Sequence, residues 1–335
     1  MGFQRERCRL RAVRVAAGLV LCAALAAPVR AEEPAEGESP APGQALEQVP
    51  LAPSTGVRLH GEEYISVLAD FGPAEASEYR SNLNLRAVAP IGESFALRFN
   101  LSGHASFFDY SGDRDQLELD LGGLNLFERL YGAQLSVAGI YRLPFEWTVL
   151  GVTPAWSLFG EGRGNMNWEN GASLADAAKG SGALGFGLEL GENFEIGAGV
   201  SVGSRIDEGG VSVSPVFALR WKFCDRWRLQ GQGSGLMLGY ELTPELELQL
   251  RGGYESDRYR LHDAEGPVEN LTLRQREAPV LLALRWSPTR HWRLTGGAGS
   301  VVYQQWRVEE DDDGVSNKVT ADPSALLWLR VEYRF

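Results

Sequence analysis

The last eleven residues, Ala325 to Phe335 (ALLWLRVEYRF), split into two rows on a two-residue period. Ala325, Leu327, Leu329, Val331, Tyr333 and Phe335 form one row; Leu326, Trp328, Arg330, Glu332 and Arg334 form the other. This is the period of a strand whose two faces meet different surroundings. The first row is apolar throughout, and the second becomes charged. At the rim of a soluble sheet such a strand would leave an edge open to pairing with other chains. A sheet closed on itself has no edge, because its last strand pairs with its first, and closure is what allows a sheet to cross a bilayer. The pattern therefore points to an all-β, transmembrane, antiparallel up-and-down β-barrel, with a soluble sandwich as the competing reading.

The start of the chain agrees. Arg5, Arg7, Arg9, Arg11 and Arg14 precede an apolar run from Val15 to Ala27 that is short for a membrane span, and Val29-Arg30-Ala31 suits a cleavage site. Residues 1–31 read as a secretory signal peptide. Residues 32–55, rich in Pro, Ala and Glu, read as a disordered periplasmic linker. Residues 56–335 are then the barrel domain. The full chain carries a net charge of −12, and its first 31 residues hold six Arg and one Glu, so the remainder sits near −17. That charge argues against nucleic acid as a partner.

Alternation recurs along the chain. Tyr79, Leu83, Leu85, Ala87 and Ala89 alternate with Arg80, Asn82, Asn84 and Arg86; Phe95, Leu97, Phe99, Leu101 and Phe107 alternate with Arg98, Asn100, Ser102, His104 and Ser106. One row suits lipid and the other a polar lumen. Short turns at 90–94, 143–147, 191–194, 224–227, 243–246 and 287–292 suit the periplasmic side, and the connections at 71–78, 109–130, 162–180, 207–210, 261–270 and 309–319 suit the outside. This gives strands at 57–70, 78–90, 94–108, 131–142, 147–161, 181–190, 194–206, 211–223, 227–233, 235–242, 245–259, 271–286, 291–307 and 320–335. The total is fourteen, an even number that leaves both termini on one side. If the short pair 227–233 and 235–242 does not span, the total is twelve. A short helix is expected around Asn125–Tyr131 in the loop at 109–130.

The terminal Phe335, with Tyr333 and apolar residues at 331, 329 and 327, resembles the C-terminal signature of bacterial outer-membrane β-barrel proteins. The resemblance implies outer-membrane localisation in a Gram-negative-type envelope, with Tyr333 and Phe335 as an assembly signal for the barrel assembly machinery. It also implies outer-membrane lipid and lipopolysaccharide as surroundings. The turn pattern, with Trp227–Leu229, Gly235–Tyr240 and Tyr254–Leu261, resembles outer-membrane barrels of an uncharacterised, domain-of-unknown-function family, which implies no particular substrate.

No cofactor motif is present, and the clusters that suggest chemistry are nonspecific. His104 sits on a polar row between Ser102 and Ser106, which raises an outer-membrane hydrolase, but flanking residues on an extended strand lie about 7 Å away. The run Glu309–Asp313 and the group Asp109, Asp113 and Asp115 offer carboxylates to divalent ions without an EF-hand spacing. The lumen row would carry Arg80, Arg86, Arg98, His104, Arg220, Lys222, Glu247, Arg251, Arg285 and Arg330, and rings of charge set selectivity in pores. Gly185, Gly187, Gly197, Gly199 and Gly203 would leave free volume inside the sixth and seventh strands. The expected function is non-enzymatic: a porin-like channel or transporter for a small solute or lipid. The alternatives are a structural or surface-interaction barrel with a plugged lumen, and a hydrolase centred on His104.

Overall fold

The computed structural model describes residues 56–122, 126–144, 153–204, 210–262, 271–310 and 316–335. The expected signal peptide and linker lie outside the described residues, as do Asp311, Asp312 and Asp313 of the acidic run. The strands are β1 (Gly56–Asp70), β2 (Ala74–Ile91), β3 (Phe95–Gly112), β4 (Arg129–Arg142), β5 (Ala155–Glu169), β6 (Ala178–Leu190), β7 (Phe194–Ser204) and β8 (Val211–Trp221). They continue as β9 (Trp227–Gln232), β10 (Gly235–Thr243), β11 (Leu246–Gly252), β12 (Glu255–Arg260), β13 (Leu271–Trp286), β14 (Trp292–Glu310), β15 (Ser316–Ala321) and β16 (Ser324–Arg334). Two helices, α1 (Arg114–Asp120) and α2 (Leu174–Ala177), lie in connections at the end opposite the termini.

The sixteen stretches make a closed barrel of fourteen antiparallel strands, because two wall strands are each broken in two. β13 pairs with β11 over Val280–Trp286 and with β12 over Thr272–Glu277, so β11 and β12 follow one another along the same neighbour. β15 and β16 likewise follow one another along β14. Closure comes from β1 against β16, over Arg58↔Arg334 to Val67↔Ala325.

The two-residue period sorts the walls. On β2, Arg80, Asn84 and Arg86 are buried while Leu83 and Leu85 are exposed. On β16, Leu326 and Trp328 are buried while Leu327 and Leu329 are exposed, as is Phe335 just after it. The outer surface carries large exposed apolar residues on every side, among them Leu101, Leu184, Val213, Phe217 and Leu282. This is the lipid-facing belt of a transmembrane barrel. At the end with the termini and short turns, aromatic rings meet in pairs: Trp227 with Tyr240 at 4.7 Å, Trp292 with Tyr333 at 4.8 Å and Tyr333 with Phe335 at 4.8 Å between centroids. Aromatic rings suit the membrane–water interface.

Several expected boundaries move. β5 runs over 155–169 where 147–161 was expected, and its outer half lies where a loop was expected at 162–180. The reason is that its outward row is Gly160, Gly162 and Gly164, which hides the alternation, while β4 and β6 supply the backbone partners. The helix forms at Arg114–Asp120 rather than around Asn125–Tyr131. Asp113 caps it, its side chain accepting from the Gln116 amide at 3.2 Å. The short pair at 227–233 and 235–242 forms β9 and β10, so the count is fourteen rather than twelve.

The free volume expected inside the sixth and seventh strands is taken. The ring of Phe159 lies where a side chain on Gly185 would stand, and it also approaches Gly197. The glycines let that ring lie flat across the inner face of β6 and β7 and pack with Ile140 and Val216.

Candidate functional site: a cavity in the lumen

Above the short turns the lumen holds a cavity of about 400 Å³, lined from β1 to β5 and from β9 to β16. The cavity is off-axis, since β6, β7 and β8 contribute none of its lining.

Three tiers of charge line it. Nearest the short turns, the Glu247 carboxylate accepts from Arg228 at 2.7 Å, Arg285 at 2.7 Å and Gln249 at 2.7 Å. Glu332 faces Arg293 at 3.4 Å and Arg334 at 2.8 Å. In the middle, Arg98 meets Glu161 at 3.2 Å. The Arg251 guanidinium lies 4.4 Å from the ring centre of Trp328, whose Nε1 donates to Glu62 at 2.6 Å. Arg330 stands 3.9 Å from the same Glu62. At the top, Arg80 is ringed by Glu78 at 2.8 Å, Glu277 at 3.3 Å and Glu255 at 3.4 Å. Its ring partner is Tyr64, whose hydroxyl donates to Glu277 at 3.3 Å.

Beyond the top tier the inward rows turn apolar. Glu78 gives way to Ala76 and Ala74, and Ser106 to Phe108 and Tyr110. Phe71, Phe108 and Phe127 surround Trp306, with centroids 4.2, 5.5 and 4.9 Å from it. Leu117 and Leu121, from α1 and its C-cap, complete a fully buried cap at the outer end. Among the described residues it lies across the outer end of the lumen.

Of the residues expected in the lumen, Arg80, Arg86, Arg98, His104, Arg251, Arg285 and Arg330 line the cavity. Glu247 lies buried behind Arg228 and Arg285. Arg220 and Lys222 do not join them. Arg220 pairs with Glu195 at the rim of β8, and Lys222 lies beyond the strand, exposed. His104 Nε2 is 3.1 Å from the Tyr259 hydroxyl, and the two rings meet edge-on. The neighbouring Ser106 accepts from Arg80 at 3.2 Å, so it is turned to the arginine. Tyr259, Trp328, Glu62 and Glu161 also line the cavity, and Glu277 lies against Arg80, though the lumen row read from the sequence does not include them. Their inward parity is readable, but parity does not say which members of a row reach the cavity.

No family model matches the chain, and no curated protein matches it. Among solved structures it is similar to outer-membrane barrels. An outer membrane channel from Pseudomonas putida F1 matches at 11% identity over 87% of this chain and 100% of that one, with a TM-score of 0.45. A deltaS2 mutant of the TodX monoaromatic hydrocarbon channel matches at 11% identity over 84% and 90%, with a TM-score of 0.40. The NanC porin matches at 6% identity over 83% and 100%, with a TM-score of 0.35.

Proposed function

We propose that the chain is an outer-membrane transport barrel for small anionic solutes, its short turns facing the periplasm. The observation that carries this reading is the cavity lining. It holds Arg80, Arg86, Arg98, Arg228, Arg251, Arg285, Arg293 and Arg330 against Glu62, Glu161, Glu255, Asp257 and Glu332. The carboxylates that redress the sum, Glu78, Glu247 and Glu277, are no more than 4% exposed and lie against arginines. Guanidinium groups outnumber carboxylates in the cavity lining, and guanidinium recognises carboxylate, sulfonate and phosphate through paired N–H donors.

The test is uptake into proteoliposomes of 8-anilinonaphthalene-1-sulfonate, an aromatic anion that fluoresces on albumin trapped inside. Uptake above that of protein-free vesicles is expected, falling as ionic strength rises. Arg251→Gln with Arg330→Gln should lower it about fivefold, on the order of 1 kcal/mol of lost attraction. Uptake that ignores both salt and these arginines overturns the anionic reading. A second reading, a closed structural barrel, draws on the aromatic cap, and a folded protein that takes up nothing would favour it.

A further inference from the structure

We propose that the solute passes between cavity and membrane sideways, through a gap in the wall above the β9–β10 hairpin, and that its class is an amphipathic anion. This rests on the transport reading above.

The wall is low at this point. β9 has six residues, and its hairpin turns between Gln232 and Gly235. Six residues at about 3.3 Å each, tilted by about 45°, rise roughly 14 Å, against an apolar band about 25 Å tall. On the far side, β8 pairs with β9 over Ala218–Trp221 and the Phe217 carbonyl accepts from the Gly233 amide at 3.0 Å, so among the described residues its edge from Val211 to Val216 has no strand beside it. On the near side, β12 rises past the hairpin tip along β13, in the register that β11 began. β11 stops at Gly252, and β12 runs across to the outer end of β5, where Arg260 pairs with Trp168. Gly252 and Gly253 stand at the junction of β11 and β12.

The cavity reaches the gap, since Ser234, Gly235, Leu236, Met237, Gly253 and Tyr254 belong to both its lining and the rim. Ser234 is half-buried, its hydroxyl donating to the Tyr254 carbonyl across the rim. The other side offers Val213 and Phe217, 64% and 58% exposed on the outer face. Open backbone edges are costly in hydrocarbon, and Pro215 removes one donor from the β8 edge. Leu236, Met237, Val213 and Phe217 give the rim apolar side chains, while the cavity behind it is rich in arginine. A molecule with an anionic head and an aromatic or short alkyl body matches both, the head held inside and the body passing Leu236 and Met237. The axial alternative meets the aromatic cap.

The experiment is uptake of 8-anilinonaphthalene-1-sulfonate by proteoliposomes carrying Ser234→Cys, before and after modification with N-(1-pyrenyl)maleimide. The wild-type chain, treated alike, is the control. Modification acts on folded protein, so loss of uptake is not loss of folding. Uptake is expected to fall at least tenfold on modification of the variant and to stay constant in the wild type. If the modified variant transports at the unmodified rate, the sideways route is overturned while the transport reading stands. If the wild type takes up none, both fall.

Discussion

Arg260 of β12 lies opposite Trp168 of β5 in parallel register, although an antiparallel wall gives β12 no reason to meet β5. This pairing divides the molecule into two levels. In the outer level, β12 closes against β5 and encloses the aromatic cap; in the inner level, β6 to β11 complete the wall around the charged lumen. The aromatic cap belongs to the outer level, and the short β9–β10 hairpin ends below it.

Trp306 is the centre of the cap and is wholly buried among Phe71, Phe108 and Phe127. Replacing it with Ala leaves a void that α1 cannot fill by a small shift. We expect a loss of about 3–5 kcal/mol. The loss would be read as a lower melting temperature in detergent, together with a rise in single-channel conductance as the outer end loosens. An unchanged conductance would mean that the cap remains closed without its largest ring.

Arg80 faces Glu78, Glu255 and Glu277. Arg80→Met would leave these carboxylates without their shared cation, and removing one partner of a buried pair costs about 3–5 kcal/mol. Adding Glu277→Gln to Arg80→Met removes one stranded charge and should recover part of that. Urea titrations of the two variants decide it, and equal stabilities would show that Arg80 does not hold the cluster.

Gly185 predicts a steric exchange. A Cβ there collides with the ring of Phe159 and with the Ala198 carbonyl. Gly185→Val should therefore cost about 1–3 kcal/mol through overpacking. Phe159→Ala in the same chain should return only the ring's share, because the backbone contact remains. A double-mutant cycle on thermal unfolding measures the coupling, and additive effects would contradict the packing described.

Much of this architecture was legible and some was not, for physical reasons. Rows such as Leu83–Leu85 against Arg80–Arg86 announce themselves because each face has a different solvent. The outer half of β5 did not, because glycine shows neither solvent. The cap left a signal in the inward rows, which pass from Glu78 to Ala76 and from Ser106 to Phe108; it reads only when the row is followed beyond its charges. Gly252-Gly253 and Asp322-Pro323 mark the two broken strands, where a uniform period suggested single ones. The pairing of Arg260 with Trp168 joins residues far apart in the chain, and alternation within a strand is blind to it. For the cavity, inward parity placed the arginines but not their depth, so Arg220 and Lys222 looked equivalent to Arg251.

The last strand allows targeting and stability to be separated. Phe335 is exposed, packs its ring on Tyr333, and its amide donates to the Val57 carbonyl at 3.0 Å. Deleting it should cost the folded barrel about 1–3 kcal/mol, the value of one aromatic side chain at the interface. If Phe335 also serves as an assembly signal, insertion in cells should slow far more than refolding in detergent. Leu329 should behave in the opposite way. It points into the lipid belt, and its partner across the β1–β16 pair is Glu63, a carboxylate on the same outward row that accepts from Ser81 at 3.0 Å. Leu329→Asp would set two carboxylates side by side in that belt, and like charges opposite one another destabilise a sheet. Leu329→Lys would set a cation beside Glu63, and although lysine is the costlier residue in lipid, pairing should offset part of that cost. We expect Leu329→Asp to refold less stably than Leu329→Lys in lipid vesicles, by about 1 kcal/mol. The reverse order would show that Glu63 does not sense the residue across from it. A Phe335 deletion that inserts at the normal rate would remove the assembly role from the C-terminus.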